Sequence, residues 1–494
     1  MNKRSLWMST AAALLVAAAL AGCGTTTYFA GRTLPPSGVA NRVLIAIQNP
    51  SPYSSGALQI VDAYYDIRFK YNSANTNAAY SISGYSGNTP ITIQNMPEEL
   101  GGAVYSSGDG AFNLINYAQE KSSGAVSGFN GKLSSVFITR NQSYAFGANQ
   151  STHEFTVVDR SSTSAGSYAL NLPGVYRVSV NPGGSAALAF VQNSNYAYYP
   201  RKLTAAQSLA YAGGPTTWPT AAVDCEPQNA PGWCLFQAQS PDHVDTTGNY
   251  YGAPLTFDRP VKAVFSADGG TAYVMNCGPE CGGTASSITP LPVAPLIFLI
   301  GQQSGTLPTP SALASSTIAI PGGASNALVA STTLYVVGQK YMTDGFWGGY
   351  LTVVNLSTNT VVPSTGSVPN PVSISDGTPG AMSRMLLADD NTMWIGMTGC
   401  INGERANNSL PYGCLTIFNT STNKVTMLEP YIGDATGIAA VTGLHKIYTA
   451  EGGQIYIYST VDGTAIDNQY VTVTGTAYDV AYMDADSDDN NTVY

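Results

Sequence analysis

Charge is scarce in this chain of 494 residues. Asp, Glu, Lys and Arg together make up 10 %, and there are three histidines, His153, His243 and His445. The 20 basic residues form no cluster, which argues against nucleic acid as a partner. No G-x-S-x-G elbow, H-E-x-x-H, Gly-rich phosphate loop or C-x-x-C-H haem site is present, so the common linear signatures of catalysis are missing. The histidines are too scattered to read as a proton relay. Helical periodicity is absent beyond the first two dozen residues. The run "PLIFLIG" (295–301) is too short to span a bilayer and fits a buried strand.

What is abundant is strand and turn chemistry: Gly 51, Pro 29 and Tyr 31, with many Ser, Thr and Asn. The stretch "VYRVSVNPGGSAALAFVQNSNYAYY" (175–199) reads strand, tight turn, strand, with a third strand beginning at its end. The same grammar recurs in "KAVFSADGGTAYVMN" (262–276), "NALVASTTLYVVGQ" (326–339), "RMLLADDNTMWIGMTG" (384–399) and "GIAAVTGLHKIYTAEGG" (437–453). Third strands follow, such as "LTVVNLSTNT", "CLTIFNTSTN" and, after residue 294, "PLIFLIG". Two complete early units are each about 43 residues long, the period of four-stranded propeller blades. First strands fall near 90, 134, 176, 262, 326, 384 and 437, which gives seven blades. "RVLIAIQN", "ALQIVDAYYD" and "AAYSISGYSG" lack a first strand, and "AYDVAYMDA" near the C-terminus is a first strand without a blade. Pairing them closes the ring and removes its open edges. The expected fold is all-β, a single propeller of eight blades over 42–494; seven is the alternative if an N-terminal unit is misread.

The pieces "AYVMN", "LYVVG", "IYTAEG", "LTVVNLSTNT" and "FTVVDR" resemble the YVTN-type β-propeller repeat of exported bacterial and archaeal proteins. The resemblance covers about residues 42–486 and implies a fold rather than a function.

Residues 1–22 read as an export signal, with Lys3 and Arg4 before an apolar segment. The sequence "LAGC" (20–23) is similar to the bacterial lipobox. That resemblance implies cleavage before Cys23, lipidation of its sulfur and stable membrane anchoring. An ordinary signal peptide with a chance cysteine is the alternative. Gly24, rather than an Asp, follows the cysteine, which favours the outer membrane of a bacterial envelope. Residues 23–41 then form a lipidated tether. Without Lys3 and Arg4 the net charge of −10 becomes −12.

Six further cysteines, Cys225, Cys234, Cys277, Cys281, Cys400 and Cys414, fall into three close pairs. An even set in an exported chain reads as disulfides, with adjacent pairing one of fifteen possibilities; the rival is a metal site. They lie in insertions at about 203–255, 277–294 and 400–414. Number the blades from residue 42, so that the first is the one split between the termini. The long loops between second and third strands then belong to blades five, six and seven and share one rim. Tyr341, Phe346 and Trp347 in the blade-six loop, with Glu404 and Arg405 in the next, are the candidate partner-binding residues. The alternative is that Phe346 and Trp347 cover the edges of their own blade. Asp484, Asp486 and Asp488 have calcium-loop spacing, but Asp489 stands where such loops use Gly; the alternative is a solvated acidic tail. No cofactor is expected beyond that candidate calcium. The leading expectation is a lipid-anchored binding or scaffolding module for an envelope protein or polysaccharide. A hydrolase or lactonase acting at the central channel is the second reading, and a passive surface-layer component the third.

Overall fold

The computed structural model describes residues 32–488, apart from 50, 52–53, 70–78, 162–165, 228–230, 240–242, 245–249, 252, 300–316, 366–367, 376–379, 402–410 and 428–431, together with the short strand Thr27–Tyr28. The proposed signal peptide, Cys23, Glu404 and Arg405 lie outside the described residues.

The turns explain why the strands form where they do. In "VNPGGSA" the Asn181 carboxamide oxygen accepts from the Ser185 and Ala186 N–H groups, and Gly184 takes φ +62°, so the chain reverses between Val175–Val180 and Ala187–Val191. The repeated "N-x-S-T-N" is a second device. Asn355 Oδ1 accepts from the N–H groups of Ser357 and Thr358, and Asn419 Oδ1 from those of Ser421 and Thr422. Asn359 and Asn423 then adopt positive φ, which asparagine tolerates better than most residues.

These hairpins assemble into sheets whose first strands are Pro90–Met96, Ser135–Ile138, Val175–Val180, Pro260–Phe265, Asn326–Ala330, Ala381–Leu387 and Ala435–Val441. The eighth sheet joins the two ends of the described chain. Thr476–Tyr482 is its inner strand and pairs antiparallel with Arg42–Gln48, which pairs with Ala57–Asp62. A bridge from Gln59 to Ser81 adds its outer edge. The chain is an eight-bladed β-propeller. Eight hydrophobic clusters hold it, each bridging two neighbouring blades.

Three details depart from the sequence reading. "PLIFLIG" is not the third strand of blade five; Ser287–Pro292 is, despite its two prolines. Ala294–Leu296 makes a 3-10 turn, and Phe298 inserts among Tyr144, Phe146 and Trp233 at ring distances of 5.0, 5.5 and 5.6 Å. Phe298 and Leu299 therefore serve the seam of blades three and four, while Leu296 and Ile297 pack into the seam of blades four and five. The 203–255 insertion is also more than a loop. It begins with helix Ala205–Tyr211, capped by Thr204 and Gln207, and then supplies strands Trp233–Gln237 and Ala222–Glu226, which make blade four five-stranded. Lastly, the end of the expected tether is docked: Ser37 N–H and Oγ both donate to the Glu120 carboxylate, and Val39 is buried.

The closing blade is locked by one cation. Arg42 is 1 % exposed. Its Nη2 lies 2.5 Å and its Nε 3.0 Å from the Asp484 carboxylate, and its Nη1 donates to Tyr117 O (2.6 Å) and Glu120 Oε1 (3.1 Å). The guanidinium thus ties the first strand of the ring to the last and to blade two. Arg42→Ala would leave Asp484 buried without its cation, and a loss of about 3–5 kcal/mol is expected. Urea unfolding of the variant tests this; a loss below about 1 kcal/mol would assign closure to the ladder alone.

Candidate functional site

Second-to-third-strand loops and inter-blade connections emerge on the same face. On that face a groove of about 610 Å³ lies between blades five and six. Pro279, Ala285, Ser286 and Ala319 line it from blade five, Ile320, Pro321 and Gly323 from the connection, and Gln339, Lys340, Tyr341 and Trp347 from blade six.

The groove is built from its hairpin and its staple. Thr333–Tyr341 and Trp347–Asn355 form an unusually long ladder that pairs Tyr341 with Trp347. Their rings meet edge to face at 5.5 Å, and Tyr341 is 59 % exposed. On the opposite wall the Cys277–Cys281 disulfide closes a four-residue loop around the 3-10 turn Gly278–Cys281. That loop aims Glu280 at blade six, where its carboxylate accepts from Gln339 N–H at 3.0 Å. Burial pushes the Glu280 carboxyl up to about 7. Gly323 and Gly338 let the backbones touch beneath: a Cβ on Gly338 would lie 2.2 Å from the Gly323 carbonyl carbon.

Of the sequence candidates, Tyr341 and Trp347 line the groove; Phe346 stands at the adjoining turn, half-buried. Cys225–Cys234 and Cys277–Cys281 are disulfides. Cys400 is buried and disulfide-bonded, and the side chain of Cys414 lies outside the described residues. The calcium reading requires correction. Asp484 is fully buried against Arg42, and Asp488 is paired with Arg140 Nε at 2.8 Å, while Asp486 is exposed. Two of the three carboxylates already serve arginines, so they do not converge on an ion. Among the described residues no group of three or more His, Cys, Asp or Glu is arranged to hold a metal.

The sequence reading missed the hub. Five first strands carry a bulge at their second or third residue, opposite Pro90/Thr92, Val175/Arg177, Pro260/Lys262, Met382/Arg384 and Ala435/Gly437, and blade one has its own at Tyr478. A bulge re-aims the residue after it. Three of those residues are cations: Arg177, Lys262 and Arg384. A periodic break in strand alternation is invisible without knowing which residues pair. His445 was also read as isolated; its Nδ1 lies 2.8 Å from Asp390 Oδ2, joining two neighbouring turns on the far face, and this contact raises its pKa.

No protein-family model matches the chain, and no curated protein matches it. Solved structures do. The β-propeller domain of Cps50 (Swd1) from Myceliophteria thermophila is similar at 11 % identity, covering 76 % of this chain and 98 % of that one, with a TM-score of 0.40. Dihydro-heme d1 dehydrogenase NirN is similar at 10 % identity, covering 89 % and 75 %, with a TM-score of 0.46. Hydrazine synthase of Kuenenia stuttgartiensis is similar at 11 % identity, covering 85 % and 98 %, with a TM-score of 0.37.

Glu280 yields a pH prediction. Its folded pKa lies above the unfolded value near 4.5, so the folded state binds the proton more tightly. Its contribution to stability is therefore present below about 4.5 and lost as pH rises to about 7. Glu451, buried in blade eight and also raised to about 7, acts in the same direction. Glu280→Gln keeps an acceptor for Gln339 N–H and removes one share of this slope. Its melting temperature is expected to exceed that of the parent at pH 8 and to approach it at pH 5. Parallel curves for the two proteins would overturn the assignment.

Proposed function

We propose that this chain is a lipid-anchored binding module of the bacterial envelope that seats a protein or polysaccharide partner in the groove between blades five and six. The observation carrying this reading is the pairing of Tyr341 and Trp347 at one wall of a preformed concavity. Aromatic faces bury area at little entropic cost, and the neighbouring Gln339, Lys340 and Ser286 supply polar groups that orient a ligand. The Cys277–Cys281 staple and the Glu280 clip support it, because a wall held before the partner arrives spends less free energy on ordering. Attachment through Cys23, with the outer membrane as destination, rests on the lipobox-like "LAGC" and Gly24. The YVTN-type assignment rests on the repeat pieces alone.

Two experiments test this. Cys23→Ala is expected to move the protein from the membrane fraction to the soluble envelope fraction; unchanged fractionation removes the anchor. A photo-crosslinking residue at position 341 in intact cells is expected to yield a discrete adduct, or the full chain in detergent to be retained on envelope polysaccharide. Trp347→Ala should cut either signal at least tenfold while leaving the melting temperature within a few degrees. No signal from the parent, or a collapse of stability in the variant, would assign the two rings to packing.

A further inference from the structure

The inner strands of the ring do not form ladders with one another. Side chains bridge them instead. Asp479 accepts from Ile93 N–H, Gln94 exchanges both of its amide bonds with the Ile138 backbone, Ser135 meets Val178, and Ser179 Oγ accepts from Ala263 N–H. Lys262 Nζ then donates to Asn326 Oδ1 at 2.7 Å, Asn326 Nδ2 to Met382 O, and Arg384 Nε to Thr436 O at 2.7 Å. The last seam is closed by Gly437, whose Cβ would strike Asp479. Within this hub two cations are poorly compensated. Lys262 is 5 % exposed, and among the described residues its ammonium has one hydrogen bond, to a neutral amide. Arg177, half-buried on the next first strand, has no carboxylate or hydrogen-bond partner among the described residues; its guanidinium lies 5.7 Å from the Tyr176 ring centre. Arg384 adds to the field at both; burial first, then repulsion from Arg177 and Arg384, lowers the Lys262 pKa well below the ordinary lysine value. The buried Ser383 hydroxyl, beside Arg384, also has no hydrogen-bond partner among the described residues.

Such a cluster is costly by itself. A buried cation is unfavourable without a counter-charge, and like charges make it worse. It occurs in an acidic protein with 20 basic residues to distribute. First strands begin on the face that carries the inter-blade connections, so these residues, early in their strands, stand toward the groove side of the channel. We propose that this end of the central channel binds a small multivalent oxyanion, carrying carboxylate or phosphate groups, through Arg177 and Lys262 in the field of Arg384. The guanidinium offers a planar fork to two oxygens and the ammonium a point charge with protons to spare. Asp479, the acidic member of the hub, is engaged by the N–H groups of Ile93 and Val480. The site is separate from the groove and does not depend on it.

The test is titration calorimetry of the full chain in detergent, with citrate and inorganic phosphate as probes at constant ionic strength. One site per chain is expected for at least one probe, and the preferred probe tells carboxylate from phosphate. Arg177→Gln and Lys262→Met should each weaken it tenfold or more. Lys424→Gln, which removes an exposed cation from the outer strand Lys424–Met427, should leave it unchanged. Lys262→Met also relieves an uncompensated buried charge, so without anion it should melt no lower than the parent. Absence of binding by both probes overturns the proposal, as does equal weakening in all three variants. So does wild-type affinity in both channel variants.

Discussion

The ring exists because both ends of the propeller chain meet in one blade, and the buried Arg42–Asp484 pair is where they meet. A strand from residues 42–48 and one from 476–482 have little reason to remain paired across more than four hundred residues of chain entropy unless something specific is gained. The ladder contributes, but ladders tolerate slippage. The guanidinium does not: it must reach Asp484, Tyr117 O and Glu120 together, and that fixes the register of blade one against blade two. Glu120 in turn holds Ser37, so the segment entering the ring is tied down at the same point. Every other seam inherits this closure, since eight blades pack face to face only if the eighth is complete.

Closure has a consequence at the centre. Around the channel the inner strands splay too far for backbone pairing, so side-chain amides, hydroxyls and charges take over their hydrogen bonds. Bulges recur early in these strands and present the next residue to the hub. The same device that stitches the ring therefore decides what lines its channel. In blades four, five and seven that position is a cation, and the channel becomes an electrostatic feature as well as a mechanical one.

The groove follows a different logic. It forms where a long hairpin of blade six leans on a disulfide-closed loop of blade five, with Glu280 as the contact and two glycines allowing close approach. A raised carboxyl at that contact makes the wall sensitive to protonation near neutral pH. Two sites of different chemistry then share one face: an aromatic groove at the rim and a cationic mouth at the axis.

Much of the architecture was legible from residues alone. Period-2 alternation, Asn-rich turns and a first strand left over at the C-terminus were enough to read eight blades and their closure, because propeller repeats are local and their turns have fixed chemistry. The aromatic pair Tyr341 and Trp347 was also visible, as bulky rings in a loop too long for a turn. Other features were decided only by the folded chain. Phe298 left its expected strand because the aromatic seam of blades three and four had room for it. Asp484, read from the sequence as part of a calcium loop or a solvated tail, became internal because Arg42, distant in sequence, needed counter-charge. Arg177 and Lys262 look like ordinary solvated charges in the sequence. Bulges re-aim them to the hub, and register between strands is a property of pairs, which a single strand's sequence does not carry.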